Sequence, residues 1–229
     1  MSEKENKAIT SLIIVPHPDD EVLSFGGYMI DQLSEGNNIV LSVMCIGHNN
    51  ESYKKRNDEL HSMVNALRDI HSETKGKITL VTNTDKLDGV LDRYPTNYLV
   101  SDIDKLIDEY KPDVLMSCYP SSHQDHRTLY NAVQSSLRLR DGFMPKKVAF
   151  GEYPFILPSL ELPSGGKWYH VMGNVTFKQK CDLFRLYKSQ FKKSPSPLGI
   201  NGIKVLANTR GLEIGETYAE LYYIQKEVN

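Results

Sequence analysis

The chain has 229 residues, with 27 Lys and Arg against 29 Asp and Glu, for a formal charge of −2. A hydrophobic share of 40% and a charged share of 24% suit a soluble globular chain, and the length can bury a full core without disulfide staples. The near-even charge excludes a mainly electrostatic nucleic-acid binder, and no apolar run approaches the roughly 18 residues that span a bilayer.

The first ten residues, MSEKENKAIT, are polar and lack the apolar stretch of a secretory signal, so the expected location is cytoplasmic. SLIIVP (Ser11 to Pro16) is dense in β-branched residues, as in a strand buried on both faces. A loop with Pro18 and three acids follows, then a helical pattern from about Ser24 to Glu35, closed by Gly36. NIVLSVMC is the second strand. From Tyr53 to His71, Leu60, Met63, Val64, Leu67 and Ile70 recur at three- and four-residue steps, which is helical spacing. KITLVT is a third strand, Tyr98 to Tyr110 a helix, DVLMSC a fourth strand, His126 to Leu139 a helix and KVAF a fifth strand.

Strands and helices alternating in this way imply parallel strands joined by crossover helices, an α/β architecture. The stretch from Tyr153 to Gly173 reads as loop or irregular strand, suited to a lid or to a subunit contact in a homo-oligomer. Thr176 to Gln190 returns to helix, SPSPLG breaks it, and AELYYIQ closes the pattern as a late edge strand. No repeat, low-complexity tract or linker marks a boundary, so one domain is expected over 1–229. Cys45, Cys118 and Cys181 are widely spaced and odd in number, against a zinc knuckle or disulfide framework. Cys45 and Cys118 close apolar segments and are expected to be core thiols.

Two polar clusters fall directly behind strands: PHPDDE (Pro16 to Glu21) behind SLIIV, and SSHQDHR (Ser121 to Arg127) behind DVLMSC. Ligands of open α/β sheets bind beyond the carboxyl ends of the strands, where two such loops can converge. His17, Asp20 and His126 supply two imidazoles and a carboxylate, a recurring set for catalytic zinc with a fourth position left for water. Asp19, beside a ligand, is placed to accept a proton from that water, and His123 to steady a developing oxyanion or protonate a leaving group. Each cluster alone also fits an acid-capped helix start, but the pair at two strand ends points to one metal site. His61 and His71 are assigned to the polar side of a helix, His170 to the irregular segment, and His48 to a loop near the crevice.

With these motifs the sequence resembles the LmbE-like, or PIG-L, family of zinc-dependent de-N-acetylases, whose hallmarks are (A/P)HPDDE after a strand and HxDH after the fourth strand. Gly26-Gly27, Arg56 and Glu59, Asp88-Gly89, YKSQ from Tyr187 and Tyr218-Ala219-Glu220 extend the likeness over about residues 11–223. The resemblance implies a Rossmann-like, mostly parallel sheet flanked by helices, and removal of an N-acetyl group from an N-acetylglucosamine-type sugar or glycoconjugate. It implies one Zn²⁺ per chain on His17, Asp20 and His126, with Asp19 as general base and His123 stabilising the tetrahedral intermediate. Arg56 and Asp88 fall where some members contact the sugar or its aglycone. Gln124 stands where many relatives have Pro, and Ser121 and Ser122 where some have an aromatic residue, which bears on substrate choice.

Three rivals remain on the sequence. A two-metal phosphoesterase would recruit Asp113 and Asp85 as further ligands. A sugar- or nucleotide-binding module without turnover would keep the motifs structurally, although no G-x-G-x-x-G follows the first strand. A nucleic-acid module would need more than the short Lys54-Lys55-Arg56 and Lys192-Lys193 runs.

Overall fold

A computed structural model describes residues 7–83, 85–139, 141–154, 166–193 and 196–228. The chain runs β1 (Thr10–Val15), α1 (Asp20–Ser34), β2 (Asn38–Val43), α2 (Asn50–Ile70), β3 (Lys77–Thr82), a short 3₁₀ turn (Leu91–Arg93), α3 (Thr96–Tyr110), β4 (Val114–Cys118) and α4 (Gln124–Ser136). It continues through β5 (Lys147–Gly151), β6 (Gly166–Met172), α5 (Asn174–Phe184), α6 (Ile200–Leu212) and β7 (Tyr218–Glu227). The seven strands form one sheet in the order β3-β2-β1-β4-β5-β7-β6. The first five are parallel; β7 lies antiparallel to β5, and β6 antiparallel to β7.

Burial on both faces explains the unbroken apolar strands. Ile13, Val15, Ile39, Leu41 and Met116 pack on one side with Phe25, Met29, Leu60, Val64 and Phe184 of α1, α2 and α5. On the other, Leu12, Ile14, Val40 and Leu115 meet Leu99, Ile103, Leu129 and Val133 of α3 and α4. Cys45 and Cys118 are buried in these cores, as expected of strand-end thiols. No described helix is long and apolar enough to cross a membrane.

The strand order reverses between β1 and β4, because β1 leads outward to β2 and β3 while β4 leads the other way to β5. This switch point opens a crevice at the carboxyl ends of the two strands that precede the polar clusters.

Four local expectations change. α1 begins at Asp20 rather than near Ser24, so Asp20 and Glu21 form its acidic first turn, where the helix dipole favours carboxylates. AELYYIQ belongs to β7, which is internal; β6 is the edge, and Gly166–Met172 is regular strand. The rest of the proposed lid or subunit contact, residues 155–165, lies outside the described residues. The α5 helix stops at Phe184, and α6, which sequence periodicity did not reveal, occupies 200–212. Its apolar residues do not share one face: Ile203 and Ala207 are buried while Val205 and Leu212 are exposed.

The glycine pair of α1 has a packing reason. A Cβ on Gly27 would lie 2.3 Å from Met172 Sδ, and one on Gly26 would lie 3.0 Å from Lys180 Cγ. Into that space come Lys180 of α5 and Glu220 of β7, both buried, joined at 2.6 Å. Glu220 also accepts from the Gly27 and Tyr28 amides at 2.8 and 3.0 Å, and Lys180 donates to the Leu23 carbonyl at 2.9 Å.

Candidate active site

Past Val15 the chain turns through Pro16, His17 and Pro18 into α1. The His17 amide donates to Asp20 Oδ2 at 3.1 Å, which closes the turn and brings both side chains to the crevice. From β4 the chain passes through Ser121 and Ser122 to His123, which caps α4: its Nδ1 accepts from the Asp125 amide at 3.2 Å. A neutral His123 accepting at Nδ1 carries its proton on Nε2.

Asp20 Oδ2 stands 3.3 Å from His17 Nδ1 and 3.3 Å from His126 Nε2, and all three residues are buried. Charge-assisted N–H···O contacts normally close to about 2.7–2.9 Å. Ligands held about 2.0–2.1 Å from a tetrahedral zinc stand about 3.3–3.4 Å apart, so the spacing suits ligands around an ion better than direct ion pairs. His126 Nδ1 is buried without a hydrogen-bond partner, and its ring packs 4.6 Å from that of Tyr153. Carboxylates outnumber cations here: Asp19, Asp20, Glu21 and Asp125 are buried and Asp88 half-buried around the single guanidinium of Arg56. The donor set fits a divalent metal.

The second imidazole nitrogen of His17 is held from behind. Asp125 Oδ2 lies 2.9 Å and Asp88 Oδ1 3.1 Å from His17 Nε2. Two carboxylates at Nε2 fix the proton there and leave the Nδ1 lone pair facing Asp20. Asp125, fully buried, also accepts from the Gly89 amide at 2.7 Å and the Leu91 amide at 2.9 Å. Gln124 donates to the Gly89 carbonyl at 2.6 Å, so the 88–91 turn is clamped to the start of α4 by two adjacent side chains. Asp125 did not emerge from sequence reasoning as a site residue; its place between the two motif histidines was the available signal.

Arg56 and Asp88, grouped as substrate contacts on the sequence, pair with each other in the wall of the site. Arg56 also donates to the Pro18 carbonyl at 3.1 Å and stands 3.9 Å from Asp19 Oδ1. Glu59, grouped with Arg56 on the sequence, instead accepts from the amide and hydroxyl of Ser189 at 2.9 and 2.5 Å. Glu21, also missed, is fully buried: one oxygen accepts from the Asp19 amide at 3.1 Å, the other from the Tyr187 hydroxyl.

Without metal, the charge states follow from burial set against these partners. Burial opposes a charged His17, but hydrogen bonds to Asp125, Asp20 and Asp88 outweigh it and lift its pKa well above the usual imidazole value. Burial opposes an ionised Asp20 too, yet His126 and His17 hold it well below the carboxylate range. Asp88, against its own burial, is brought down to about 2 by His17 and Arg56. Burial and the neighbouring Asp20 raise Asp19, with Arg56 opposing, and burial lifts Glu21 to about 7. Burial and the charge of His17 lower His123, favouring its neutral form.

Of the other histidines, His48 and His61 are exposed, and His48 directly follows Gly47, whose carbonyl accepts from the Asp88 amide at 3.3 Å. His71 is buried at the C-terminus of α2, contrary to its assignment to the polar side, and His170 pairs with Asp31 at 2.9 Å. Asp85 is exposed and pairs with Lys86 at 3.4 Å, and Asp113 accepts from the Thr10 amide at the start of β1, at the far end of the sheet; among the described residues neither joins a group of possible metal donors.

Residues 12–137 match the family model described as PIG-L, GlcNAc-PI de-N-acetylase. No curated relative matches the chain by sequence. The fold is similar to the zinc-inhibited form of teicoplanin deacetylase Orf2, at TM-score 0.74 and 18% identity over 94% of this chain and 97% of that one. It is similar to N,N'-diacetylchitobiose deacetylase from Pyrococcus horikoshii, at TM-score 0.68 and 19% identity over 96% and 84%. The same fold is found in GalB, the 4-carboxy-2-hydroxymuconate hydratase of Pseudomonas putida KT2440, at TM-score 0.72 and 12% identity over 96% and 98%.

Proposed function

The chain belongs to the PIG-L family, described as GlcNAc-PI de-N-acetylase, and from that premise we propose that it is a zinc-dependent hydrolase removing the N-acetyl group from an N-acetylglucosamine-type sugar or glycoconjugate. The observation that carries this reading is the set of His17, Asp20 and His126, with Asp20 Oδ2 3.3 Å from each imidazole and all three donor atoms within 4.8 Å of one another, flanked by Asp19 and His123 at the switch point of the sheet. Deacetylases among the structural neighbours support it. GalB shows that the fold alone does not decide the reaction, so the side chains must.

His17, Asp20 and His126 would hold the ion. When bound, zinc supplies a Lewis acid for the acyl carbonyl and lowers the pKa of water from 15.7 to about 7. Asp125 and Asp88 hold His17 Nε2 and so turn the ring to leave Nδ1 free for the ion it would bind. Asp19 accepts the proton of the attacking water and passes it to the departing nitrogen, so that amide and water become acetate and amine. Burial and the neighbouring Asp20 raise its pKa above the ordinary carboxylate value, with Arg56 opposing. His123, neutral and with its proton on Nε2, donates to the oxygen on which charge develops. Arg56 and Asp88 hold the loop and line the approach for the sugar.

A second group of possible metal donors, His17, Asp88, His123 and Asp125, shares His17 with the first. His17 Nε2 already serves two carboxylates, and Arg56 neutralises Asp88, so these residues support one ion rather than hold a second. The test is to incubate zinc-loaded protein with a panel of N-acetylated sugars and glycoconjugates, measuring released acetate and metal per chain. Acetate with one zinc per chain is expected. Bound zinc with no acetate from any substrate would favour the binding-module reading, and two zinc ions would revive the two-metal hydrolase.

A further inference from the structure

Asp19 has φ 112°, a backbone conformation that side-chain-bearing residues rarely adopt. Its side chain makes no cap bond to α1, although it occupies the N-cap position. The usual use of an Asp there, to accept from the first amides of the helix, is forgone, and the carboxylate is available to the crevice. Such a conformation persists only where its surroundings fix it.

Besides the first helix bonds, in which the Asp19 carbonyl accepts from the Val22 and Leu23 amides at 3.1 and 2.9 Å, two side chains hold it. Arg56 Nη2 donates to the Pro18 carbonyl on one side at 3.1 Å, and Glu21 Oε2 accepts the Asp19 amide on the other, also at 3.1 Å. Glu21 is fully buried. Its second oxygen is taken by the hydroxyl of Tyr187, itself fully buried in the turn after α5. That turn is tied to α2 where Glu59 grips Ser189.

We infer that Glu21 is a positioning residue for the reaction: through the Asp19 amide it holds the strained backbone that keeps the Asp19 carboxylate off the helix and on the substrate, and Tyr187 holds Glu21 in place. This rests on the reading of Asp19 as the base. Gln at position 21 keeps a carbonyl oxygen for the Asp19 amide and an NH₂ group for the Tyr187 oxygen. Met fills similar space but accepts nothing, leaving a buried amide to find another partner.

The experiment compares Glu21→Gln and Glu21→Met with wild type for kcat, KM and zinc content, with a crystal structure of the Met variant. Displacing a reacting group by about 1 Å costs about 100-fold, so Glu21→Met is expected to lower kcat about 10- to 100-fold. KM and zinc per chain should stay near wild type, and the Asp19 φ should relax from its positive value. Glu21→Gln should retain kcat within about threefold by the same reasoning. Turnover per zinc-loaded Glu21→Met chain equal to wild type would overturn the inference, as would zinc loss with turnover per bound zinc preserved. If the Met variant does not fold, Tyr187→Phe removes only the hydroxyl; a lower kcat at unchanged KM supports the inference, and an unchanged kcat overturns it. A wild-type protein that releases no acetate from any N-acetyl sugar overturns the parent reading and this one together, whereas active wild type with an unimpaired Glu21→Met overturns this one alone.

Discussion

The buried ion pair between Lys180 and Glu220 gives a quantitative test of what locks α1 to β7 in the antiparallel part of the sheet. Glu220 accepts from Lys180, from two amides of α1 and from the Tyr222 hydroxyl at 2.5 Å. Lys180→Met removes the ammonium and leaves a buried carboxylate without its counter-charge, as well as the Leu23 carbonyl without its donor. Breaking a buried pair from one side costs about 3–5 kcal/mol, because the remaining charge cannot be rehydrated. With a urea m-value of about 2 kcal/mol/M, the unfolding midpoint should fall by about 1.5–2.5 M. Lys180→Met combined with Glu220→Gln leaves no unpaired charge, so the double variant should lose less than the sum of the two single variants, by about 2 kcal/mol or more. The exposed Lys178–Asp182 pair, at 2.9 Å, is the control: Lys178→Met should cost about 0.5 kcal/mol or less. A Lys180→Met midpoint within about 0.5 M of wild type, or strict additivity in the cycle, would refute the reasoning.

Three further predictions concern the proposed metal site. Asp19→Ala should abolish acetate release with zinc content near wild type, whereas His126→Ala should lose the metal; metal analysis beside a turnover assay separates the two, and an unchanged rate in Asp19→Ala removes Asp19 as the base. Asp125→Asn should weaken zinc binding about 10- to 100-fold in competition with a chelator, because His17 loses the carboxylate that fixes its tautomer. Zinc affinity should rise with pH through and beyond the ordinary imidazole range, because the metal-free His17 pKa is raised and the ring must shed its proton to coordinate. Asp20 is held ionised and adds no such competition, so displacing one proton tightens Kd by about tenfold per pH unit below the His17 pKa; calorimetry showing a flat profile from pH 6 to 8 would contradict this.

The parallel half of the fold was legible because its signals are local and periodic. SLIIV, NIVLSV, KITLVT and VLMSC show as dense apolar runs because both faces of each strand are buried, and the intervening helices carry one apolar stripe. That His17, Asp19, Asp20, His123 and His126 gather in one place was legible by position, since strand ends bring such loops to one crevice. What was missed depends on contacts distant in sequence. β7 looks like an edge until β6 is known to pair outside it, and α6 lacks a single apolar face. Asp125 and Glu21 looked like ordinary first-turn acids; their roles show only when His17, 108 residues from Asp125, and Tyr187, 166 residues from Glu21, come alongside. Arg56 and Asp88 were placed near the substrate, but nothing local indicated that they clasp each other.

The interior position of β7 sets an order of assembly during synthesis. Every proposed metal ligand and acid–base group, with the five parallel strands, lies within residues 10–151 and is synthesised first. The stretch 166–172 then emerges with no neighbour to pair with, since its partner, 218–227, has yet to be made. Until that segment threads between β5 and β6, both expose unpaired backbone, and α1 lacks the carboxylate that receives its Gly27 and Tyr28 amides. A polypeptide halted before residue 218 would therefore carry the complete set of site residues beside an open, adhesive sheet edge, and its fate would be aggregation or proteolysis rather than catalysis.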